Sequence, residues 1–172
     1  LNGEEKIADL KLRKQRISCQ SMDIAEIVMS HNMQNQIVAL NLTDNCFTSQ
    51  SISKLNGNFL RELILVGNQI TAFPNLSHLP LLLVLDLSYN PIKCLGKYAA
   101  ETFTTCRNVK CLRFEQCKLG YKEDGSNTDN INIFEPMAML VNTLEELNLG
   151  NNLISCRKTL EDLKKFKRVK SL

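Results

Sequence analysis

Leu82-Leu83-Val84-Leu85-Asp86-Leu87-Ser88-Tyr89-Asn90-Pro91-Ile92 is the stretch on which the chain turns. Leu82, Leu85, Leu87 and Ile92 stand at places 1, 4, 6 and 11 of this segment, and Asn90 at place 9. Places 4 and 6 are two apart, so on a strand both side chains point the same way. Places 1 and 11 bring two more apolar groups inward as the chain enters and leaves the strand. The asparagine falls where the backbone turns off. Its amide can both donate to and accept from backbone groups that have no strand partner there.

The pattern recurs. Ile7, Leu10, Leu12, Gln15 and Ile17 fit it, as do Ile37, Leu40, Leu42, Asn45 and Phe47. Leu60, Leu63, Leu65, Asn68 and Ile70 fit without substitution. Val109, Leu112, Phe114, Cys117 and Leu119 carry cysteine at place 9, and Leu144, Leu147, Leu149, Asn152 and Ile154 complete six copies. A seventh begins at Val169 and stops at Leu172. The spacing predicts stacked coils with a ladder of place-9 side chains: Gln15, Asn45, Asn68, Asn90, Cys117 and Asn152. The cysteine rung is the weak one, because a thiol donates poorly.

This template is the leucine-rich repeat core, and the chain resembles that family over about residues 7 to 172. Leu60 to Ile92 is similar to the short 22-residue class found in a regulatory subunit of protein phosphatase 1 and in axonemal and splicing proteins. The longer steps and Cys117 look more like the ribonuclease-inhibitor or cysteine-containing class. The resemblance implies an α/β fold. It would be a curved right-handed solenoid with a parallel β-sheet on the concave side and short helices or 3₁₀ turns on the convex side. It also implies protein binding on the concave face, without identifying a partner.

Starts at 7, 37, 60, 82, 109, 144 and 169 divide a single 172-residue domain into steps of 30, 23, 22, 27, 35 and 25. Steps of 22 and 23 leave room for a short return segment only; longer ones admit a helix. In the first return, Asp23 and Glu26 read as a capping box, with Ile24, Ile27 and Val28 on one helix face. Pro74 and Pro80 predict 3₁₀ or extended turns in the third. The spacing predicts two helical turns over 96–105, with Leu95, Tyr98, Ala99 and Phe103 inward. Residues 120–136 read as an inserted polar surface loop, followed by a helix from about Pro136 to Val141. Residues 159–167 read as an amphipathic helix with Leu160, Leu163 and Phe166 inward. The Lys164, Lys165, Lys167, Arg168 and Lys170 cluster reads as a solvated face near its C-terminus.

Composition narrows the function. A net charge of +3 with 23% charged residues gives little case for nucleic acid. No run approaches the apolar length of a membrane helix. The opening Leu1–Lys6 is polar and unlike a signal peptide. Without an initiating Met it is consistent with processing or an upstream start. Seven cysteines, Cys19, Cys46, Cys94, Cys106, Cys111, Cys117 and Cys156, are odd in number and spread through the repeats. They read as free thiols of an intracellular, cytoplasmic protein, a cytoskeletal, axonemal or nuclear complex included. The sequons at Asn41 and Asn75 read as chance matches, Asn41 lying on a packed strand. The apolar edge left at Leu172 implies either that the chain continues or that something covers it.

Catalysis finds no footing. The two histidines, His31 and His78, lie on convex segments, away from any nucleophile or carboxylate set. No CxxC pair proposes zinc, and no glycine-rich loop cradles phosphate, so no enzyme activity, cofactor or metal is expected. Function falls instead to places 3, 5 and 7, which face away from the core. Read down the repeats these are Asp9, Lys11, Arg13; Ala39, Asn41, Thr43; Glu62, Ile64, Val66; Val84, Asp86, Ser88; Cys111, Arg113, Glu115; and Glu146, Asn148, Gly150. Ala39, Ile64, Val66 and Val84 form an apolar centre with a charged surround, which is the anatomy of a protein interface. The expected partner-binding set is Asn41, Glu62, Ile64, Val66, Val84, Asp86, Arg113, Glu115 and Asn148, with Tyr89 beside it as an anchor. The protein is expected to be a scaffold or adaptor. The alternatives are an extracellular receptor fragment and a regulatory module of a larger protein, such as a GTPase regulator, a ubiquitin-ligase receptor or an RNA-associated complex.

Overall fold

A computed structural model describes residues 15–120, 134–154 and 161–170. Six parallel strands follow in chain order in one sheet: β1 Gln15–Ser18, β2 Ile37–Asn41, β3 Glu62–Ile64, β4 Val84–Asp86, β5 Cys111–Arg113 and β6 Glu146–Asn148. Leu40, Leu63, Leu85, Leu112 and Leu147 lie side by side in register and are fully buried. Two places on, Leu42, Leu65, Leu87 and Phe114 make a second buried row, and Leu149 closes it half-buried against the same core. The fold is an α/β leucine-rich repeat solenoid.

The first repeat sits in a different register from the one the pattern predicts. Arg16, Ile17 and Ser18 pair with Ala39, Leu40 and Asn41, so Ile17 occupies place 4 and not place 11. Gln15 is a strand residue paired with Ile37 and is no rung of the ladder. Ile17, Cys19 and Ile24 then fill places 4, 6 and 11, and the step to the next repeat is 23 residues, matching its neighbour. Ile7 to Leu12, with Asp9, Lys11 and Arg13, lie outside the described residues, as do most of the expected loop (121–133), Cys156, Leu160 and Leu172.

Short coils close without much helix. The expected helix over Asp23–Met29 is absent. Asp23 has φ 52°, left-handed where a helix N-cap is extended, and Val28 is 69% exposed. The helix there is α1, His31–Gln34, whose N-cap Ser30 accepts from the Met33 N–H. The next return holds α2, Ser49–Ser53, opened by reciprocal bonds between Thr48 and Ser51. The Pro74–Pro80 return has no helix. The longer step admits α3, Gly96–Thr105, over the expected residues. Leu95, Ala99 and Phe103 are buried, but Tyr98 points out, 42% exposed. A 3₁₀ helix, Glu135–Leu140, stands where a helix from Pro136 was expected, and residues 161–163 are helical. Phe73 bridges the layers, its ring 5.3 Å from Phe103 and 6.2 Å from Phe114.

The turn off each strand repeats the same two devices. The residue at place 8 is left-handed in all six described coils: Ser21, Asp44, Gly67, Tyr89, Gln116 and Asn151. Next to it the asparagine rung ties coil to coil. Asn68 Nδ2 donates to the carbonyls of Leu42, Leu65 and Val66, and its Oδ1 accepts from the Phe47 N–H. Asn45, Asn90 and Asn152 repeat this, accepting from the place-11 N–H groups of Ile24, Ile70 and Leu119. Cys117 breaks the series. Its thiol donates to the Leu87 carbonyl at 3.1 Å, but it offers no amide oxygen. The Ile92 N–H turns instead to the carbonyl of Asn90 in its own coil. Burial pushes the Cys117 thiol up to about 12, which keeps the donor proton in place.

Candidate functional site: the open face of the sheet

Successive strands place the outward residues in three cross-strand rows. Place 3 runs Arg16, Ala39, Glu62, Val84, Cys111, Glu146; place 5 runs Ser18, Asn41, Ile64, Asp86, Arg113, Asn148. Place 7 continues with Thr43, Val66, Ser88 and Glu115. No described helix packs against these rows, and α3 lies against the 3₁₀ helix instead.

The expected apolar centre is a diagonal band and not a contiguous patch. Glu62 separates Ala39 from Val84, and Asn41 and Asp86 flank Ile64. Ile64, Val66 and Val84 are half-buried, and Ala39 is buried beneath its neighbours. Tyr89 stands at the edge of the band with φ 58°, and the residue is 49% exposed. Asn41 turns inward on its own strand end, its Oδ1 accepting from the Thr43 N–H and hydroxyl.

Charged side chains gather at two places. Arg16 pairs with Glu62 at the β1 side, an ion pair hidden from sequence reading by the misplaced first strand. Its signal was the 23-residue step, which brings Ile17, Cys19 and Ile24 onto the template despite Lys14 and Met22 at places 1 and 9. At the β5 side Arg113 donates to Glu146 at 2.6 Å and lies 3.5 Å from Asp86. Arg113 holds the Glu146 carboxyl below the usual carboxylate range through that hydrogen bond. Asp86 is buried, its other oxygen accepting from the Ser88 N–H. Cys111, between Val84 and Glu146 on place 3, is pushed up to about 12, mainly by burial. Glu115 is different: it accepts from Asn148 Nδ2, Asn151 Nδ2 and the Tyr89 hydroxyl at 3.1, 3.2 and 3.4 Å. All three donors are neutral.

The helical side offers a cleft of about 470 Å³ lined by Ser49, Ser53, Phe73, His78 and Tyr98 among others. Three of its polar side chains bond to backbone carbonyls. Ser49 Oγ donates to the Ala72 carbonyl, Ser53 Oγ to the Ser49 carbonyl, and the His78 ring bonds to the Leu55 carbonyl. Among the described residues no three His, Cys, Asp or Glu side chains gather as a metal-binding group, and no helix is long and apolar enough to cross a membrane.

The comparisons with known proteins agree with this architecture. No protein-family model and no curated protein matches the sequence. Among solved structures the chain is similar to a leucine-rich repeat protein of Leptospira interrogans, with a TM-score of 0.54 at 15% identity. The match covers 99% of this chain and 57% of that one, so the chain spans little more than half its length. The likeness is one of fold.

Proposed function

We propose that this protein is a scaffold or adaptor module that holds a partner polypeptide on the open face of its sheet. One observation carries the proposal. The diagonal Val66, Ile64 and Val84 band is only half-buried, whereas the opposite side of the same strands is sealed in the core. Apolar side chains ringed by ion pairs and by Tyr89 match the apolar core and polar rim of a protein interface. In the helical cleft, by contrast, Ser49, Ser53 and His78 are bonded to backbone carbonyls.

An intracellular setting is the companion proposal. Cys106 and Cys117 act as thiols, donating to the carbonyls of Leu79 and Leu87 at 3.2 and 3.1 Å. Oxidation would remove both donors. Titration of the denatured, unreduced protein with a thiol reagent should find the cysteines free; a shortage of titratable thiols would favour an extracellular origin.

Affinity purification from the source cell with mass spectrometry tests the main proposal. Wild type should enrich a specific protein that Ile64→Asp/Val84→Asp does not, while both melt cooperatively. Equal recovery by the double variant would remove the sheet face from consideration.

A further inference from the structure

The open face and the chain as a whole carry opposite charge. On the described strand rows four carboxylates, Glu62, Asp86, Glu115 and Glu146, face two guanidiniums, Arg16 and Arg113, a net of −2 on a chain of +3. Arg16 is matched to Glu62, and Arg113 is shared between Glu146 and Asp86. Glu115 has no cation against it among the described residues. Three neutral donors hold its carboxylate in place and leave its charge uncompensated. A cation arriving there displaces no existing ion pair. The Tyr89 ring beside it offers a surface for the methylenes or the charge of a Lys or Arg side chain. An acidic segment would meet like charge along the same rows.

We propose that the sheet face takes a cationic polypeptide segment. A Lys or Arg of the partner lies against Glu115 and Tyr89, and an apolar side chain sits on the Ile64–Val84 diagonal. Glu115 lies two strand spacings across and two residues along from Ile64, so those two partner residues stand about 12 Å apart. This inference rests on the reading of the sheet face as the binding face and adds the chemistry of its occupant.

Fluorescence anisotropy on the full chain tests it, with three short labelled peptides: one of Lys and Leu, one with Glu replacing Lys, and one with Ser replacing Leu. Only the Lys–Leu peptide should bind with a defined stoichiometry. Glu115→Gln should weaken that binding about fivefold, the effect of losing one partly exposed charge pair, and Glu115→Lys should abolish it. Glu101→Gln, on the helical side, should leave it unchanged, and all variants should melt like wild type. Equal weakening by Glu115→Gln and Glu101→Gln, or equal binding of the Glu–Leu peptide, would overturn the proposal. If native-partner capture is lost in Ile64→Asp/Val84→Asp but indifferent to Glu115→Lys, the cationic occupant is wrong and the face stands. Capture that survives both variants sinks the face itself. Self-association by light scattering that Glu115→Lys reverses would make the occupant a second copy and overturn an external segment.

Discussion

The two sides of this solenoid are made by the same coils, yet their polar side chains end in different places. On the helical side several close onto backbone: Thr102 Oγ1 accepts from the Leu76 N–H, Cys106 donates to Leu79, and His78 bonds to Leu55. Each satisfies a return segment too short or too proline-rich to satisfy itself. On the sheet side the backbone is already paired strand to strand, and the charged side chains reach across coils: Arg16 to Glu62, Arg113 to Glu146 and Asp86, and Glu115 to the neutral donors of Asn148, Asn151 and Tyr89. Polar residues on one side therefore build the fold. On the other they link coil to coil and leave the Glu115 carboxylate without a cation among the described residues.

The sharpest way to break that contrast is to attack what both sides share. Leu87→Asp puts an unpaired charge into the fully buried row and should unfold the neighbouring coils, read as loss of a cooperative melt. Asn68→Ala comes next. It leaves the buried Phe47 N–H without its acceptor and takes one of two donors from each of three carbonyls, and should cost about 2–4 kcal/mol in denaturant unfolding. Cys117→Ala, which loses a weak donor, should cost well under half of that. Thr102→Val keeps the shape but leaves the Leu76 N–H without its acceptor, for about 1–3 kcal/mol. Smallest is Glu115→Gln, expected to stay within about 0.5 kcal/mol in stability because the amide oxygen still accepts. Its effect should appear in binding alone.

Alkaline pH sharpens the same division. Burial pushes the Cys106 thiol up to about 11 and those of Cys111 and Cys117 to about 12, from an ordinary value of 9.0. Above pH 9 the unfolded chain releases these protons while the folded chain retains them. Stability should therefore fall from about pH 9 towards pH 11–12, and it should fall less steeply in Cys106→Ala/Cys117→Ala. A flat profile for wild type would mean that these thiols are not buried donors.

Much of the fold was legible because the template is a physical necessity repeated. Leu40, Leu63, Leu85, Leu112 and Leu147 announce the core row by spacing alone. The first strand differs because Ile7 to Ile17 is the richer apolar match, whereas the coil that pairs through Arg16, Ile17 and Ser18 carries Met22 in the asparagine place. Periodicity at 3.6 residues suggested a helix at Asp23–Met29, but the turn geometry after Ser21 prevailed, and Tyr98 faces out because α3 packs through Ala99, Thr102 and Phe103. The face of the sheet followed from alternation. What single-residue reasoning missed was pairing across coils: that Glu62 belongs to Arg16, that Asp86 and Glu146 share Arg113, and that Glu115 answers to asparagines. Those partners are 27 to 46 residues apart and meet only once the register is known.

Two tyrosines make the direct test of the account. Tyr89 on the sheet side and Tyr98 on the helical side are nearly equally exposed, at 49% and 42%. Hydroxyl-radical footprinting of the protein alone and with its captured partner should show Tyr89 protected and Tyr98 oxidised as before. Protection of Tyr98 with Tyr89 unchanged would place the partner on the helices and contradict the account.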